Sequence, residues 1–209
     1  MTPPPPPRRL LIPALSTLVM LVVLVGLGTW QVQRLLWKRA ILAAVDAAES
    51  APATPLGPTP APFAKVVATG TFDRAATALY GSEIRTGAGA TIGGARALAV
   101  LRRDGAAPIL VDRGWVPAGT GAPPPPGPPS GPVAIQGYIR PPEPPGWFTP
   151  APDLAARRFY ALDPASIGPA IGEPALAPYT LVAIGPPTPG PPTPGQPEPA
   201  SALPRPANN

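Results

Sequence analysis

The stretch Leu10–Trp30, LLIPALSTLVMLVVLVGLGTW, decides how the rest of the chain is read. It holds no charged residue. At about 1.5 Å per residue it spans roughly 30 Å as a helix, the thickness of a bilayer's hydrocarbon core. Its aliphatic residues, at about −0.3 to −0.6 kcal/mol each, outweigh Pro13, Ser16, Thr17 and the glycines. The sequence therefore predicts a membrane-spanning helix. The competing reading is the apolar core of a cleaved secretion signal, but such cores run about 7–15 residues and end at a small-residue cleavage site. This run is longer, and it passes into WQVQRLLWKRA (30–40), whose good helix formers extend the expected helix to about Ala48.

The chain carries 16 Lys and Arg against 11 Asp and Glu, a net charge of +5. Position matters more than sign. Arg8, Arg9, Arg34, Lys38 and Arg39 flank the apolar run, and from Asp46 onward acid and base balance. The surplus thus sits where anionic lipid headgroups would attract it. No basic patch remains in the body of the protein to follow a phosphate backbone, so nucleic acid is set aside as a partner. Arg8 and Arg9 favour a cytoplasmic N-terminus, whereas Arg34, Lys38 and Arg39 on the far side favour the reverse. Charge alone leaves both orientations open. Trp30, Arg34 and Trp37 fall on one helical face, where a guanidinium between two indoles can make cation–π contacts while its head reaches lipid phosphate. Trp30, Arg34, Trp37 and Lys38 are expected to form a membrane-boundary motif, with the lipid bilayer as partner.

The composition narrows the chemistry. With 40 Pro and 22 Gly, the chain favours turns, extended segments and linkers beyond the first helix. It contains no Cys, so disulfides and thiolate metal sites are excluded. It contains no His, the commonest general base and metal ligand. Ser16, Ser82, Ser130 and Ser166 therefore have no imidazole to activate them, and Glu143, Asp153, Asp163 and Glu173 are scattered among prolines. No catalytic constellation emerges, and the protein is expected not to be an enzyme.

Residues 1–9 read as a Pro/Arg arm, 10–48 as the transmembrane helix with its juxtamembrane extension, and 49–62 as a Pro-rich semi-rigid spacer. Residues 63–185 read as a β-rich soluble domain, and 186–209 as a Pro-rich disordered tail. Within the domain, apolar runs bounded by turn residues predict strands at Ala64–Thr69, Ala76–Tyr80, Ala97–Arg102, Ile109–Val111, Val133–Ile139, Phe159–Leu162 and Tyr179–Ile184. Pro164–Ile171 reads as a short helix capped by Asp163. The expected fold class is a membrane-anchored α+β protein, an N-terminal transmembrane helix followed by a mainly antiparallel β domain, barrel- or sandwich-like.

Two stretches invite chemical readings. TGAGATIGGAR (86–96) lacks the Gly-Lys-Ser/Thr ending of a phosphate loop and the strand–GxGxxG–helix context of a dinucleotide fold, so a hairpin connection is expected. ILVDRGWVP (109–117) reads as a buried strand after which Asp112 and Arg113 turn outward, Gly114 bends the chain and Trp115 folds over the core. That arrangement is usually structural. An exposed Arg beside a Trp is also a favoured contact for a partner protein, so Asp112, Arg113 and Trp115 are candidate partner contacts.

GLGTWQVQRLLWKRAIL (26–42) resembles the first membrane helix and its exit in the Surfeit locus protein 1 family, assembly factors for cytochrome c oxidase. VATGTFD (67–73), ILVDRGWVP (109–117), GYIRPPEPPGWFTP (137–150) and PYTLVA (178–183) follow in the family's order. The resemblance covers about residues 10–185, with a trace at the end. It implies a protein of the bacterial or mitochondrial inner membrane with an N-in first helix and its domain on the periplasmic or intermembrane face, here expected to be the bacterial inner membrane with a cytoplasmic N-terminus and periplasmic domain, that assists maturation of the oxidase core subunit or insertion of its haem a. It also implies a second membrane helix opening near an Asn-Asn-His-Leu sequence. This chain stops at PRPANN, with Asn208 and Asn209 last, and the expectation is a truncated chain. No cofactor is expected in this chain; transient haem a binding is implied only for the full-length member. The alternative is a single-pass envelope protein whose β-rich domain binds another envelope component.

Overall fold

The computed structural model describes residues 8–87, 90–118, 121–122, 124–185 and 196–202. The chain forms two compact units, a helix as far as Ala47 and a β-rich domain from Ala48.

Helix α1 (Arg8–Ser50) is 43 residues long. Its segment Pro13–Ala40 has a mean hydropathy of 1.9 and is not buried by the rest of the chain, so it is long and apolar enough to cross a membrane. The hydroxyls within it are satisfied by the helix itself. Ser16 Oγ and Thr17 Oγ1 donate to Pro13 O at 2.9 and 2.8 Å, and Thr29 Oγ1 donates to Val25 O at 2.8 Å. In hydrocarbon each of these bonds replaces one that water can no longer make.

The domain is one mixed sheet of seven strands with a short helix. In chain order these are β1 (Thr54–Pro55), β2 (Lys65–Gly87), β3 (Ala90–Arg103), β4 (Ala106–Pro117), β5 (Pro132–Arg140), β6 (Arg158–Phe159), α2 (Pro164–Ala170) and β7 (Thr180–Ala183). β2, β3 and β4 form an antiparallel meander. β7 lies between β4, to which it is parallel, and β5, to which it is antiparallel. β5 then pairs with β2, so the path of pairings returns to its start.

The return depends on how β2 turns a corner. Lys65–Thr71 pairs with β5 and Thr71–Gly87 pairs with β3, so Thr71 faces partners on both sides. At the corner, a Cβ on Gly70 would lie 2.2 Å from Arg102 O, so only glycine admits this approach. A bulge follows between Asp73 and Thr77, where Asp73 Oδ1 accepts the Ala75 N–H at 2.9 Å. The strands expected at Ala64–Thr69 and Ala76–Tyr80 are therefore one strand with a corner and a bulge.

β3 and β4 are buried on both faces, which explains their nearly unbroken apolar runs. Alternate residues go to opposite sides. Leu101, Ile109 and Val111 join Val66, Phe72, Ile139 and Leu181 in one core cluster. Leu98, Val100 and Leu110 join Phe159, Leu162 and Ile167 of α2 in the other. α2 begins where predicted, with the Asp163 side chain accepting the Ala165 N–H at 3.2 Å and Pro164 in its first turn.

Two segments expected to lie off the domain are folded onto it. In the predicted spacer 49–62, Thr54–Pro55 pairs with Val66–Val67, and Leu56 donates its N–H to Val67 O at 2.9 Å while its side chain packs on the core. In the predicted tail, Glu198 exchanges backbone hydrogen bonds with Trp115, each 2.9 Å, and Ala200 N–H donates to Ala183 O at 3.1 Å. Prolines do not prevent this, because the N–H donors, Leu56, Glu198 and Ala200, are the residues between them. The rest of the tail reading, 186–195 and 203–209, lies outside the described residues, as does most of the arm 1–9 and the centre of the glycine-rich turn.

Candidate functional site

On β4 the structure corrects one expectation directly. Asp112 does not turn outward; it is fully buried. Its carboxylate takes an ion pair from Arg96 on β3, and Oδ1 accepts the Gly114 N–H at 3.0 Å. Burial pushes the Asp112 carboxyl above the usual carboxylate range, against the pull of Arg96 and the Gly114 N–H. The Arg96 guanidinium, in turn, is held in its charged form by Asp112 against its own desolvation.

Trp115 is 2 % exposed. Arg85 stacks over its ring at 4.7 Å and forms an ion pair with Glu198. The ring fills the space that a side chain at position 94 would need, since a Cβ on Gly94 would sit 2.3 Å from it. Gly114 has φ +119, and a Cβ there would lie 2.0 Å from Glu198 O. The VDRGW run is thus a buried joint that locks β3, β4 and the 196–202 segment together. Asp112 and Trp115 present no surface to a partner. Arg113 is half-buried, lies over the Phe72 ring at 5.8 Å, and donates to Pro126 O at 3.0 Å and Gly127 O at 3.2 Å.

On α1, the Arg34 guanidinium stands 5.4 Å from the centre of the Trp30 ring, as the four-residue spacing requires. Among the described residues no such contact joins Arg34 to Trp37, whose indole is exposed. Lys38 is half-exposed on the following turn.

The most open aromatic side chains of the domain lie elsewhere. Trp147 and Phe148 are 95 % and 93 % exposed. They occupy the tip of a finger whose base is pinned to the sheet. Arg140 grips both oxygens of Glu143 at 2.9 Å and stacks on Tyr80 at 5.6 Å, and the Glu143 N–H donates to Leu162 O at 2.9 Å. The tip closes on itself: the Gly146 N–H donates to Thr149 Oγ1 at 2.8 Å, and the Thr149 N–H donates back to Gly146 O at 3.0 Å. Pro141, Pro142, Pro144, Pro145, Pro150 and Pro152 stiffen the approach and exit. Sequence reading singles out this stretch only for its resemblance and assigns neither aromatic a role. The signal was present: two adjacent aromatics between a glycine and a Thr-Pro, in an uncharged run.

The chain has no His or Cys, the commonest protein ligands of haem and metal ions. Among the described residues, no three His, Cys, Asp or Glu come together as a metal-binding cluster.

The sequence model of the SURF1 family matches residues 18–206, nearly the whole chain, from within α1 to beyond the Glu198 segment. No curated protein matches the chain. The chain therefore belongs to the SURF1 family, the Surfeit locus protein 1 family of cytochrome oxidase assembly factors.

Proposed function

We propose that this protein is a non-enzymatic, membrane-anchored assembly factor that assists maturation of the membrane-embedded core subunit of cytochrome c oxidase. Family membership across residues 18–206 carries the reading. α1 spans the bacterial inner membrane with its N-terminus in the cytoplasm, and the Trp30–Arg34 pair stands at the boundary, where indoles and arginine heads are both favoured. The domain then lies on the periplasmic side. Its ring of strand pairings acts as a barrel-like platform for the Trp147–Phe148 finger, which docks on the oxidase subunit. Bare aromatic side chains are the type enriched at the anchor points of protein interfaces, and the finger's stiffness lowers the entropy lost on docking. The exposure of the finger and the burial of Asp112 and Trp115 support a contact at the finger.

The test is deletion of the gene and restoration with the wild-type chain or with Trp147→Ser/Phe148→Ser. Oxidase activity and haem a content should fall on deletion, return with the wild type and fail to return with the double variant. Full oxidase activity in the deletion strain would overturn the proposal.

A further inference from the structure

Three arginines that, among the described residues, have no carboxylate partner converge on one cavity of the domain. The cavity has a volume of about 310 Å³ and is lined by Arg74, Arg113, Arg157, Leu98, Pro126 and Gly127, among others. Arg113 donates to Gly127 O at 3.2 Å, and a Cβ on Gly127 would lie 3.5 Å from Arg74 Nη2, so these two guanidiniums meet at the same residue. Arg157 donates to Ala75 O at 2.8 Å, one residue along from Arg74. Elsewhere most of the domain's arginines are paired, Arg103 and Arg158, which bond the carbonyls of Ala107 and Ala118, being the exceptions among the described residues. Arg85, Arg96, Arg102 and Arg140 each hold a carboxylate. Among the described residues, Arg74, Arg113 and Arg157 hold only neutral oxygens: Ser130 Oγ, the carbonyls of Pro126 and Gly127, and the carbonyl of Ala75. The nearby acids are engaged elsewhere. Asp73 binds Arg102, and Asp153 Oδ1 accepts the Ala156 N–H.

A guanidinium carries five N–H donors. The contacts above use one donor each on Arg74 and Arg157 and two on Arg113, which leaves donors from all three for a ligand. Like charges gathered in this way repel one another, and Arg113 is half-buried where solvent screens it poorly. Burial opposes its charge, and among the described residues no carboxylate is paired with it to offset the effect. The volume suits a small ligand or headgroup. Arginine forks match planar or tetrahedral oxyanions, and three cations call for more than the single charge of a carboxylate.

We propose that this cavity binds a phosphate-bearing ligand, gripped by Arg74, Arg113 and Arg157, supplied either as a free phosphate compound or as the headgroup of an anionic lipid.

The test is isothermal titration of the full chain in neutral detergent micelles with inorganic pyrophosphate and, separately, with short-chain phosphatidic acid. The expected result is one site per chain for at least one of the two. Pyrophosphate alone points to a free ligand, and phosphatidic acid alone to a headgroup. Arg113→Gln should weaken binding at least about tenfold, as loss of a charged hydrogen-bond donor does. Arg113 also staples the Pro126–Gly127 segment, so the decisive variant is Arg74→Gln/Arg157→Gln. Both of its side chains are on the surface, and it should weaken binding by about a hundredfold with the fold intact by circular dichroism. Arg103→Gln is the reference, since Arg103 also bonds only a carbonyl, Ala107 O, but lies outside this cavity. It should change affinity less than threefold. No binding of either probe would overturn the proposal, as would equal losses in Arg103→Gln and Arg74→Gln/Arg157→Gln.

Discussion

Replacing Asp112 with Ala should be among the most damaging single changes in the domain, and Asp112→Asn should do much less harm. The carboxylate is fully buried and has two partners, the Arg96 guanidinium and the Gly114 N–H. Truncation to Ala orphans both. Breaking a buried ion pair by removing one partner costs about 3–5 kcal/mol. The Arg96 side chain keeps 20 % of its exposure, so water recovers part of its charge, which favours the lower end of that range. The stranded Gly114 N–H adds a cost on the order of 1–3 kcal/mol. The two losses overlap, and a net of about 3–4 kcal/mol is expected. For a domain of this size 1 kcal/mol moves Tm by about 2–4 °C, so Tm should fall by roughly 6–16 °C. Asn keeps the volume and an acceptor for Gly114 and removes the buried negative charge; about 1–2 kcal/mol is expected. The assay is thermal unfolding of the full chain in neutral detergent, followed by near-ultraviolet circular dichroism, to which buried Trp115 contributes. A loss below about 1 kcal/mol for Ala, or equal losses for Ala and Asn, would refute the reasoning.

Gly94→Ala should push the buried Trp115 ring out of place at a cost of about 1–3 kcal/mol, and the smaller ring of Trp115→Phe should recover part of that loss in the double variant; unchanged unfolding in Gly94→Ala would contradict this. Gly114→Ala, which needs φ +119 and meets Glu198 O, should release the 196–202 segment to limited proteolysis, a result absent from the wild type. The Asp73 carboxyl is held below its usual range, first by the hydrogen bond from Arg102 and next by the Ala75 N–H. Its contribution to stability is therefore present above the unfolded carboxylate pKa of about 3.9 and is lost as pH falls through the lower folded value. Asp73→Asn should accordingly lower Tm at pH 7, with the gap closing under acid conditions; an equal gap at both ends would contradict it. Trp147→Ser/Phe148→Ser should leave stability within about 0.5 kcal/mol of the wild type, because both rings are almost fully exposed, while docking weakens by about 30-fold or more.

What the sequence disclosed follows from how local each signal is. α1 is legible because a charge-free apolar run needs no partner to declare itself. The Asp163 cap and Pro164 predicted α2 for the same reason, as they act within one turn. β3 and β4 were found as apolar runs, although their burial on both faces depends on α2 and β7 and is not written in either strand. The single bent β2 was read as two strands because its corner depends on Gly70 meeting Arg102 O, a contact between residues distant in sequence. Asp112 was placed outside because an aspartate looks like a surface residue until Arg96 lies opposite it. Glu198 looked idle within a proline tail, since nothing local shows that Trp115 and Arg85 await it. The exposure of the Trp147–Phe148 tip is not legible from the sequence: adjacent aromatics suggest a core, whereas the turn closed by the reciprocal Gly146–Thr149 bonds leaves both rings exposed.

The most direct measurement places a photo-crosslinking amino acid at Phe148, and separately at exposed Asp104 on the β3–β4 turn, in cells that assemble the oxidase. A covalent adduct is expected between position 148 and the oxidase core subunit in the membrane fraction, and none from position 104. Adducts from 148 to lipid alone, the same adducts from both positions, or recovery of the protein in the aqueous fraction would contradict it.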